Sequence, residues 1–243
     1  MTELYLIGIG TGNPDHLTRQ AVKALNACDL VMIPRKGGKA DLAELRLAIC
    51  HEVLINPATK VVEFDLPVRD AANPDYAAGV NDWHDAIAEV WRATMAAHPA
   101  GHVALLVWGD PSLYDSTLRI AARLTDVRVS VVPGITSIQA LTAAHAMTLN
   151  EIGAAVTITT GRQLQHGWPA GAETLVIMLD GNCAFQSLDP KGISIWWGAY
   201  VGMPEEVILS GPLAEVGAQI VEMRAKARTA HGWIMDIYIL RKT

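Results

Sequence analysis

The chain has 243 residues, of which 51% are hydrophobic, and its formal net charge is −6 at pH 7. This length can bury the core of one large domain or two small ones. The mild acidic excess argues against wholesale binding of a polyanion, and no apolar run approaches the roughly 20 residues of a membrane span. No export signal is visible, and the scattered Cys28, Cys50 and Cys183 fit reduced thiols, so we expect a cytoplasmic protein.

The first apolar run, Glu3–Gly10, predicts a buried strand that enters the glycine-rich turn Gly8–Pro14, with a helix opening at Asp15. Such a turn could bind a dinucleotide, but Asn13 stands where the third glycine of that fingerprint is needed. The acidic residue expected after the next strand is also absent, since Pro34-Arg-Lys stands there. The turn therefore predicts a tight passage from strand to helix, with dinucleotide binding as the alternative.

The remainder of the first half alternates strands and helices, which predicts βαβ units and a parallel sheet. The second strand is expected to stop at Pro34, before the basic loop Arg35–Lys39. We predict strands at Asp29–Ile33, Lys60–Leu66, Val103–Trp108 and Val127–Val132, and helices at Asp41–Val53, Tyr76–Ala97 and Ser116–Leu124.

Two small-residue turns, Trp108–Pro111 and Pro133–Ser137, end the last two of these strands. Ligands in parallel sheets bind beyond the carboxyl ends of the strands, so both turns should line one crevice. Asp110 could accept hydrogen bonds from a ribose or an amine, or it could cap a following helix that begins at Pro111. The second turn offers two hydroxyls and free amides, which could serve a ligand or only cap a helix.

The second half of the chain differs in its predicted secondary structure, which has many strands and one long helix. A βαβ half followed by a strand-rich half indicates a two-domain α/β protein, with a parallel domain over residues 1–143 and a mixed-sheet domain over residues 144–243. The eight histidines show no metal-binding spacing, so no metal is predicted. We predict strands at Gly153–Thr160, Glu173–Leu179, Ile193–Tyr200, Glu206–Leu209 and Trp233–Leu240, and helices at Ile138–Ala146 and Leu213–Arg228.

Taken in order, the motifs GIGTGNPDHLT, WGDPSLY and VVPGITS resemble the tetrapyrrole (precorrin) methyltransferase family. The stretch Gly202–Leu213 is similar to the family's stretch ending in Gly-Thr-Leu, with Pro212 replacing the usual threonine. Thr11 stands where many members have proline, and Trp108 replaces the first glycine of the usual Gly-Gly-Asp. The resemblance covers essentially the whole chain and implies the two-domain architecture of the class III methyltransferases.

Further stretches resemble one branch of that family. The resemblance implies that this branch methylates ring carbon 1 of precorrin-5 and releases the extruded two-carbon fragment as acetate, which gives precorrin-6A in aerobic cobalamin biosynthesis. The stretches are Ile33–Gly37, Asp41–Arg46, Glu63–Arg69, Asp82–Asp85, Ile195–Tyr200 with Gly202–Pro204, and His231–Asp236.

The resemblance also implies a homodimer that binds S-adenosylmethionine between its domains and a tetrapyrrole as substrate, with no nucleic acid and no membrane as partner. By position, the expected contacts of the methyl donor are Thr11, Trp108, Gly109, Asp110, Leu113, Thr136, Ser137, Leu179, Tyr200 and Met203. The substrate carries many carboxylates, so basic residues are its candidate partners or else form a solvated loop: Arg35, Lys36, Lys39, Arg46 and Arg69. Tyr114 is expected to face the cleft and position the substrate.

Three other readings stay open at this stage. A relative in the same family could act on another ring carbon, or on a protein or ribosomal RNA, although the acidic balance argues against RNA. The first glycine turn could serve a nicotinamide dehydrogenase. Lastly, a domain without catalytic activity could bind the nucleoside alone.

Overall fold

A computed structural model describes residues 1–37, 40–69, 75–232 and 234–242. The chain divides into two compact units, Met1–Thr136 and Ser137–Thr243. Each unit is built around a five-stranded sheet. Across the described ranges, none of the helices is long and apolar enough to cross a membrane.

The sheet of the first unit is wholly parallel, with strand order β3-β2-β4-β1-β5. Its three inner strands, β1, β2 and β4, are rich in buried apolar residues because helices cover both faces of the sheet. The strands are β1 (Thr2–Gly8), β2 (Leu30–Arg35), β3 (Lys60–Asp65), β4 (His102–Val107) and β5 (Val127–Val132).

Two apolar cores lie on the two faces of this sheet. Helices α1 (Arg19–Ala27) and α2 (Ala40–Val53) bury residues such as Leu25 and Ile49 on one face. Helices α3 (Tyr76–Ala97) and α4 (Thr117–Ala121) bury residues such as Trp91 and Ile120 on the other face. The predicted parallel sheet of βαβ units is therefore confirmed, and the structure adds that helices cover both of its faces.

Three local expectations in this unit are wrong. Pro34 lies inside β2 instead of ending it, because β2 pairs with β4 only through Met32 and its later residues need no donor on that side. The segment Pro14–His16 forms a single 3-10 turn, and α1 begins only after Thr18, whose hydroxyl accepts from the Ala21 N–H. Helix α4 is shorter than predicted at both ends.

The second unit has the mixed sheet that the sequence predicted, and its strand order is β6-β7-β10-β8-β9. Its first pair is parallel and its other three pairs are antiparallel. The strands are β6 (Val156–Thr160), β7 (Thr174–Met178), β8 (Ile193–Ala199), β9 (Val207–Pro212) and β10 (Asp236–Lys242). The helices are α5 (Ser137–Ala144), α6 (Gly161–Leu164) and α7 (Leu213–His231).

The last strand begins later than predicted, at Asp236, and Trp233 lies outside the described residues. The indole of Trp197 is fully buried in the core, while Trp196 on the other face lies 5.3 Å from the Arg241 guanidinium. Helix α5 contacts β8 and β10, which places it with the second unit. The division therefore falls at the start of α5, whereas the sequence placed it between residues 143 and 144, at the end of that helix.

Candidate functional site

Three turns at the carboxyl ends of β1, β4 and β5 meet at one edge of the first sheet. The Gly109 N–H donates to the Gly10 carbonyl at 2.7 Å, and the Gly10 N–H donates to the Gly109 carbonyl at 3.3 Å. A Cβ on Gly134 would overlap the Gly109 carbonyl oxygen, so only glycine allows the third turn to approach. The structure thus brings the predicted turns together.

This edge contains the point where the direction of the chain connections reverses. From β2 the chain continues to β3 on one side, and from β4 it continues to β5 on the other side, while β2 and β4 are neighbours. Open α/β sheets bind ligands at such a switch point because the diverging connections leave a crevice. The fold therefore selects the same edge that the motifs selected.

Asp110 ties two of the turns together through its carboxylate. Oδ2 accepts a hydrogen bond from the Gly134 N–H at 2.9 Å, and Oδ1 accepts from the Ser112 N–H at 2.8 Å and the Ser112 hydroxyl at 2.5 Å. Burial raises the pKa of Asp110, but these hydrogen bonds outweigh burial and hold the pKa below its usual value. The expected helix starting at Pro111 is absent, since the next helix begins at Thr117, so the capping role is wrong.

Trp108 and Arg46 form a stacked pair directly before this turn. The Arg46 guanidinium lies 4.7 Å from the centre of the Trp108 ring, and its Nε donates to the Leu106 carbonyl at 3.0 Å. Burial lowers the pKa of Arg46 to about 10, although nearby Asp115 opposes this, so the side chain stays charged at neutral pH. Among the described residues, the buried Trp108 Nε1 has no acceptor.

The other predicted donor contacts of the first unit lie at the same edge. The Thr11 hydroxyl is hydrogen-bonded to His16 Nδ1 at 3.0 Å, which orients this side chain. The Leu113 N–H donates to the Asp110 carbonyl at 3.1 Å and closes the β4 turn. Thr136 follows the β5 turn and lies beside Gly109, whereas Ser137 is the first residue of α5 and belongs to the second unit. The partner of Thr11 was missed because a threonine five residues before a histidine carries no motif.

Tyr114 adopts a left-handed backbone with φ of 49° and leaves 43% of its surface exposed. Non-glycine residues rarely take this conformation, and strained backbone clusters at functional sites. Tyr114 follows the β4 turn directly, and its expected role of facing the cleft and positioning the substrate stays a prediction.

The predicted basic residues differ in their surroundings. Arg35 is exposed and pairs with Glu63 and with Asp65, the latter at 3.0 Å. The Lys36 amino group lies 5.9 Å from the Trp83 ring, and Arg69 is exposed. Arg46 is the exception, because only 8% of it is exposed. Lys39 lies outside the described residues.

The second unit carries the other three predicted donor contacts at one edge of its own sheet. Strands β7 and β8 run in the same direction on either side of β10, so Leu179 and Tyr200, which follow them, lie at the same edge. Both have left-handed backbone, with φ of 53° and 51°. The Met203 N–H donates to the Tyr200 carbonyl at 2.9 Å.

These two edges offer backbone groups, hydroxyls and apolar side chains. Within the parts of the chain that the structure describes, no group of three His, Cys, Asp or Glu side chains could hold a metal ion. Glycine-lined turns that let a ligand approach the backbone, with a few polar groups to orient it, suit a small polar molecule such as a nucleoside.

Comparison with known proteins decides the family. The model of the Tetrapyrrole (Corrin/Porphyrin) Methylases matches residues 3–217. The chain belongs to this family. The precorrin-6A synthase [deacetylating] of Sinorhizobium sp. is 46% identical over 250 residues, which cover 100% of this chain and 96% of that protein.

Solved structures agree with this assignment. A cobalamin synthesis related protein (CobF) from Corynebacterium diphtheriae has a TM-score of 0.84 and 38% identity, covering 100% of this chain and 99% of that one. The uroporphyrin-III C-methyl transferase of Thermus thermophilus, solved with S-adenyl homocysteine, has a TM-score of 0.65 and 22% identity, covering 98% of this chain and 92% of that one. The second likeness shows the shared fold, so the predicted architecture of a tetrapyrrole methylase is confirmed.

Proposed function

We propose that this member of the tetrapyrrole methylase family is a precorrin-6A synthase of the deacetylating type. It transfers a methyl group from S-adenosylmethionine to ring carbon 1 of precorrin-5, releases acetate and yields precorrin-6A. The observation that carries the proposal is the 46% identity to such a synthase across the whole chain. The activity belongs to cobalamin biosynthesis, and we further propose a cytoplasmic homodimer.

The edge of the first sheet fits the methyl donor in chemical type. Gly109 has φ of 61° and no backbone atom within contact distance of a Cβ other than the Thr136 Cα at 3.7 Å, so a ligand can approach the main chain there. The Asp110 carboxylate stays ionised, and its negative charge favours a cationic ligand such as a sulfonium. The remaining proposed donor contacts are Thr11, Trp108, Leu113, Thr136, Ser137, Leu179, Tyr200 and Met203.

Bound S-adenosylmethionine would supply an electrophilic methyl group to the electron-rich carbon of the macrocycle. The chain's part is to hold the two reactants in line, and positioning of this kind can supply about 7–11 kcal/mol of a barrier. The hydrogen bonds that join Gly10 to Gly109 and Asp110 to Gly134 give the site this rigidity.

Basic side chains are proposed to hold the carboxylates of the macrocycle. Arg46 is best prepared for this because its Nε and Nη1 already donate to the Leu106 and Leu42 carbonyls, which fixes the guanidinium. Lys36, Lys39 and Arg69 are further candidates. Arg35 would have to leave Glu63 and Asp65, so its contribution is smaller.

Acetate release requires water to attack the extruded acyl carbon. The bond between that carbon and the macrocycle then breaks, its electron pair and a proton go to the macrocycle carbon, and the fragment leaves as acetate. We propose that Tyr114 positions the macrocycle and that water attacks without a dedicated base. A Tyr114→Phe variant then keeps methylation and acetate release with modest losses in both. A variant that methylates normally but retains the acetyl group would make Tyr114 specific to deacetylation.

The test of the proposed class is a comparison of ligands by melting temperature and calorimetry. A ligand that binds only the native state raises the melting temperature. At a concentration one hundred times its dissociation constant, it adds about 2.7 kcal/mol to the free energy of unfolding. S-adenosylhomocysteine is expected to stabilise the protein and NAD(H) to leave it unchanged. Stabilisation by NAD(H) alone would favour a dehydrogenase. Binding of S-adenosylhomocysteine without turnover of any precorrin would favour a domain that only binds the nucleoside.

A further inference from the structure

Leu179 combines two features that each cost free energy. It is a large apolar residue with 67% of its surface exposed, and it holds a left-handed φ of 53°. A left-handed backbone is unfavourable for a residue with a Cβ, because the Cβ crowds the following carbonyl oxygen. Neither feature contributes to the core of the second unit, so its surroundings must impose this conformation.

The neighbouring Asp180 imposes it from within the turn. Asp180 is only 8% exposed, although it follows an exposed residue. Its Oδ1 accepts from the Asn182 N–H at 2.9 Å, and its Oδ2 accepts from the Ala184 N–H at 2.6 Å. These bonds fix the chain on the far side of Leu179. In the sequence, Asp180 is marked only by an Asp-Gly-Asn turn after a strand, which is too common a pattern to indicate this role.

Two further elements hold Asp180 in place. The Tyr238 hydroxyl on β10 donates to Asp180 Oδ2 at 2.5 Å, and Arg224 Nη2 on α7 donates to the Asp180 carbonyl at 3.2 Å. Burial, followed by the charge of Asp180, raises the pKa of Tyr238, so the hydroxyl remains a donor. A Cβ on Gly161 would overlap the Asp180 carboxyl group, so α6 closes the remaining side.

Arg224 is itself fixed by a buried ion pair. Its Nε donates to Asp236 Oδ2 at 2.8 Å, and the same oxygen accepts from Trp197 Nε1 at 3.1 Å. Both members of the pair are nearly buried, and Trp197 lies fully in the core. The turn that carries Leu179 is therefore tied to α7, β8 and β10 at once.

We infer that Asp180, Tyr238 and Arg224 are positioning residues that hold Leu179 in its strained pose as a rigid apolar platform for the methyl donor. The inference rests on the proposed function in one respect, the contact of Leu179 with the donor. A turn whose backbone is held in its binding conformation before the ligand arrives loses less freedom on binding, which increases affinity.

The test is a double-mutant cycle in the affinity for S-adenosylhomocysteine, measured by calorimetry. Tyr238→Phe removes one hydroxyl from the network and is expected to weaken binding about fivefold, with kcat changed less than the KM for the donor. Leu179→Ala is expected to weaken binding similarly. In the double variant the two losses overlap, because Tyr238 acts through Leu179. Losses that multiply would show a merely structural role and overturn the inference.

Two glycine variants test the strain itself. Leu179→Gly is expected to raise the melting temperature by roughly 2–4 °C while weakening the binding of S-adenosylhomocysteine. The matched control is Ala146→Gly, since Ala146 has the same left-handed φ of 50° in the same unit. It is expected to stabilise similarly and leave binding unchanged. Unchanged binding in Leu179→Gly would remove Leu179 from the donor site and overturn the inference, whereas a wild-type chain that binds no S-adenosylhomocysteine would overturn the proposed function.

Discussion

Asp110, a candidate contact of the methyl donor, also holds two turns of the backbone together. Its carboxylate accepts backbone hydrogen bonds from two turns, one of them 24 residues further along the chain. The sequence predicts the turn around Asp110, because Gly109 and Pro111 flank this residue. The bond to Gly134 depends on β4 and β5 lying on either side of β1, and no local pattern contains that information.

We predict that Asp110→Asn destabilises the protein by about 1–3 kcal/mol at neutral pH, because an amide cannot replace a charged acceptor at both oxygens. The folded state lowers the pKa of Asp110, so its contribution is present above the ordinary pKa and is lost as pH falls through the lower folded pKa. Denaturation curves between pH 3 and 7 should therefore converge for the two proteins at the acid end. Asp189→Asn is the control, since Asp189 accepts one N–H in an exposed turn, and it should change little.

His84 on α3 differs from Asp110, because its buried ring nitrogens have lost their hydrogen bonds to water without gaining others within the described part of the chain. Among the described residues, neither of its ring nitrogens has a hydrogen-bond partner. Burial, with the charges of Arg123 and Arg119, lowers the pKa of His84. The unfolded chain therefore binds a proton more readily than the folded one, so stability is present above a pH of about 6.5 and is lost as pH falls below it.

We predict that His84→Leu stabilises the protein by about 1–2 kcal/mol at pH 7, because it removes desolvated polar atoms. The gain should grow as pH falls from 7 to 5, which denaturant titrations at several pH values would measure. His51→Leu, at an exposed position near the end of α2, serves as the control. Parallel pH profiles for wild type and His84→Leu would contradict the account.

The sequence predicted the bounds of an element most accurately where the pattern of that element is long or ends at a clear stop signal. The residues of α3 and β5 agree with prediction throughout, since one has 22 residues of helical period and the other is an apolar run stopped by Pro-Gly. The prediction that β2 ends at Pro34 failed, because a strand tolerates proline only where the side of the strand that lacks the N–H has no pairing partner. The prediction of element bounds also failed at α4, where Asp115 accepts from the Thr117 N–H and starts the helix late.

The proposed site depends on the edge of the first sheet where the turns after β1, β4 and β5 meet. The backbones of these turns approach each other most closely at Gly134. We predict that Gly134→Ala lowers stability by about 1–3 kcal/mol, because the added methyl group must push the β5 turn from the Gly109 carbonyl. The same displacement should weaken the binding of S-adenosylhomocysteine. Gly37→Ala is the matched control, because no atom of the described residues lies within 4 Å of a Cβ there. Equal effects of the two substitutions would contradict the close approach of the turns.

At the scale of the whole molecule, motif order was the strongest signal in the sequence. Three short motifs in a fixed order predicted the family, and the match over residues 3–217 confirms it. The same motifs could not predict Arg46 stacked on Trp108, because the contact joins residues 62 positions apart on α2 and after β4. Family resemblance thus indicated the edge of the sheet, while the electrostatics of that edge required the structure.

The most direct measurement is the reaction of the purified protein with precorrin-5 and S-adenosylmethionine, followed by mass detection of the macrocycle and quantification of acetate. The account predicts a singly methylated macrocycle that has lost the two-carbon fragment, with one equivalent of acetate for each methyl group transferred. A methylated product that keeps the acetyl group, or a methyl group accepted only by a different precorrin, would contradict it.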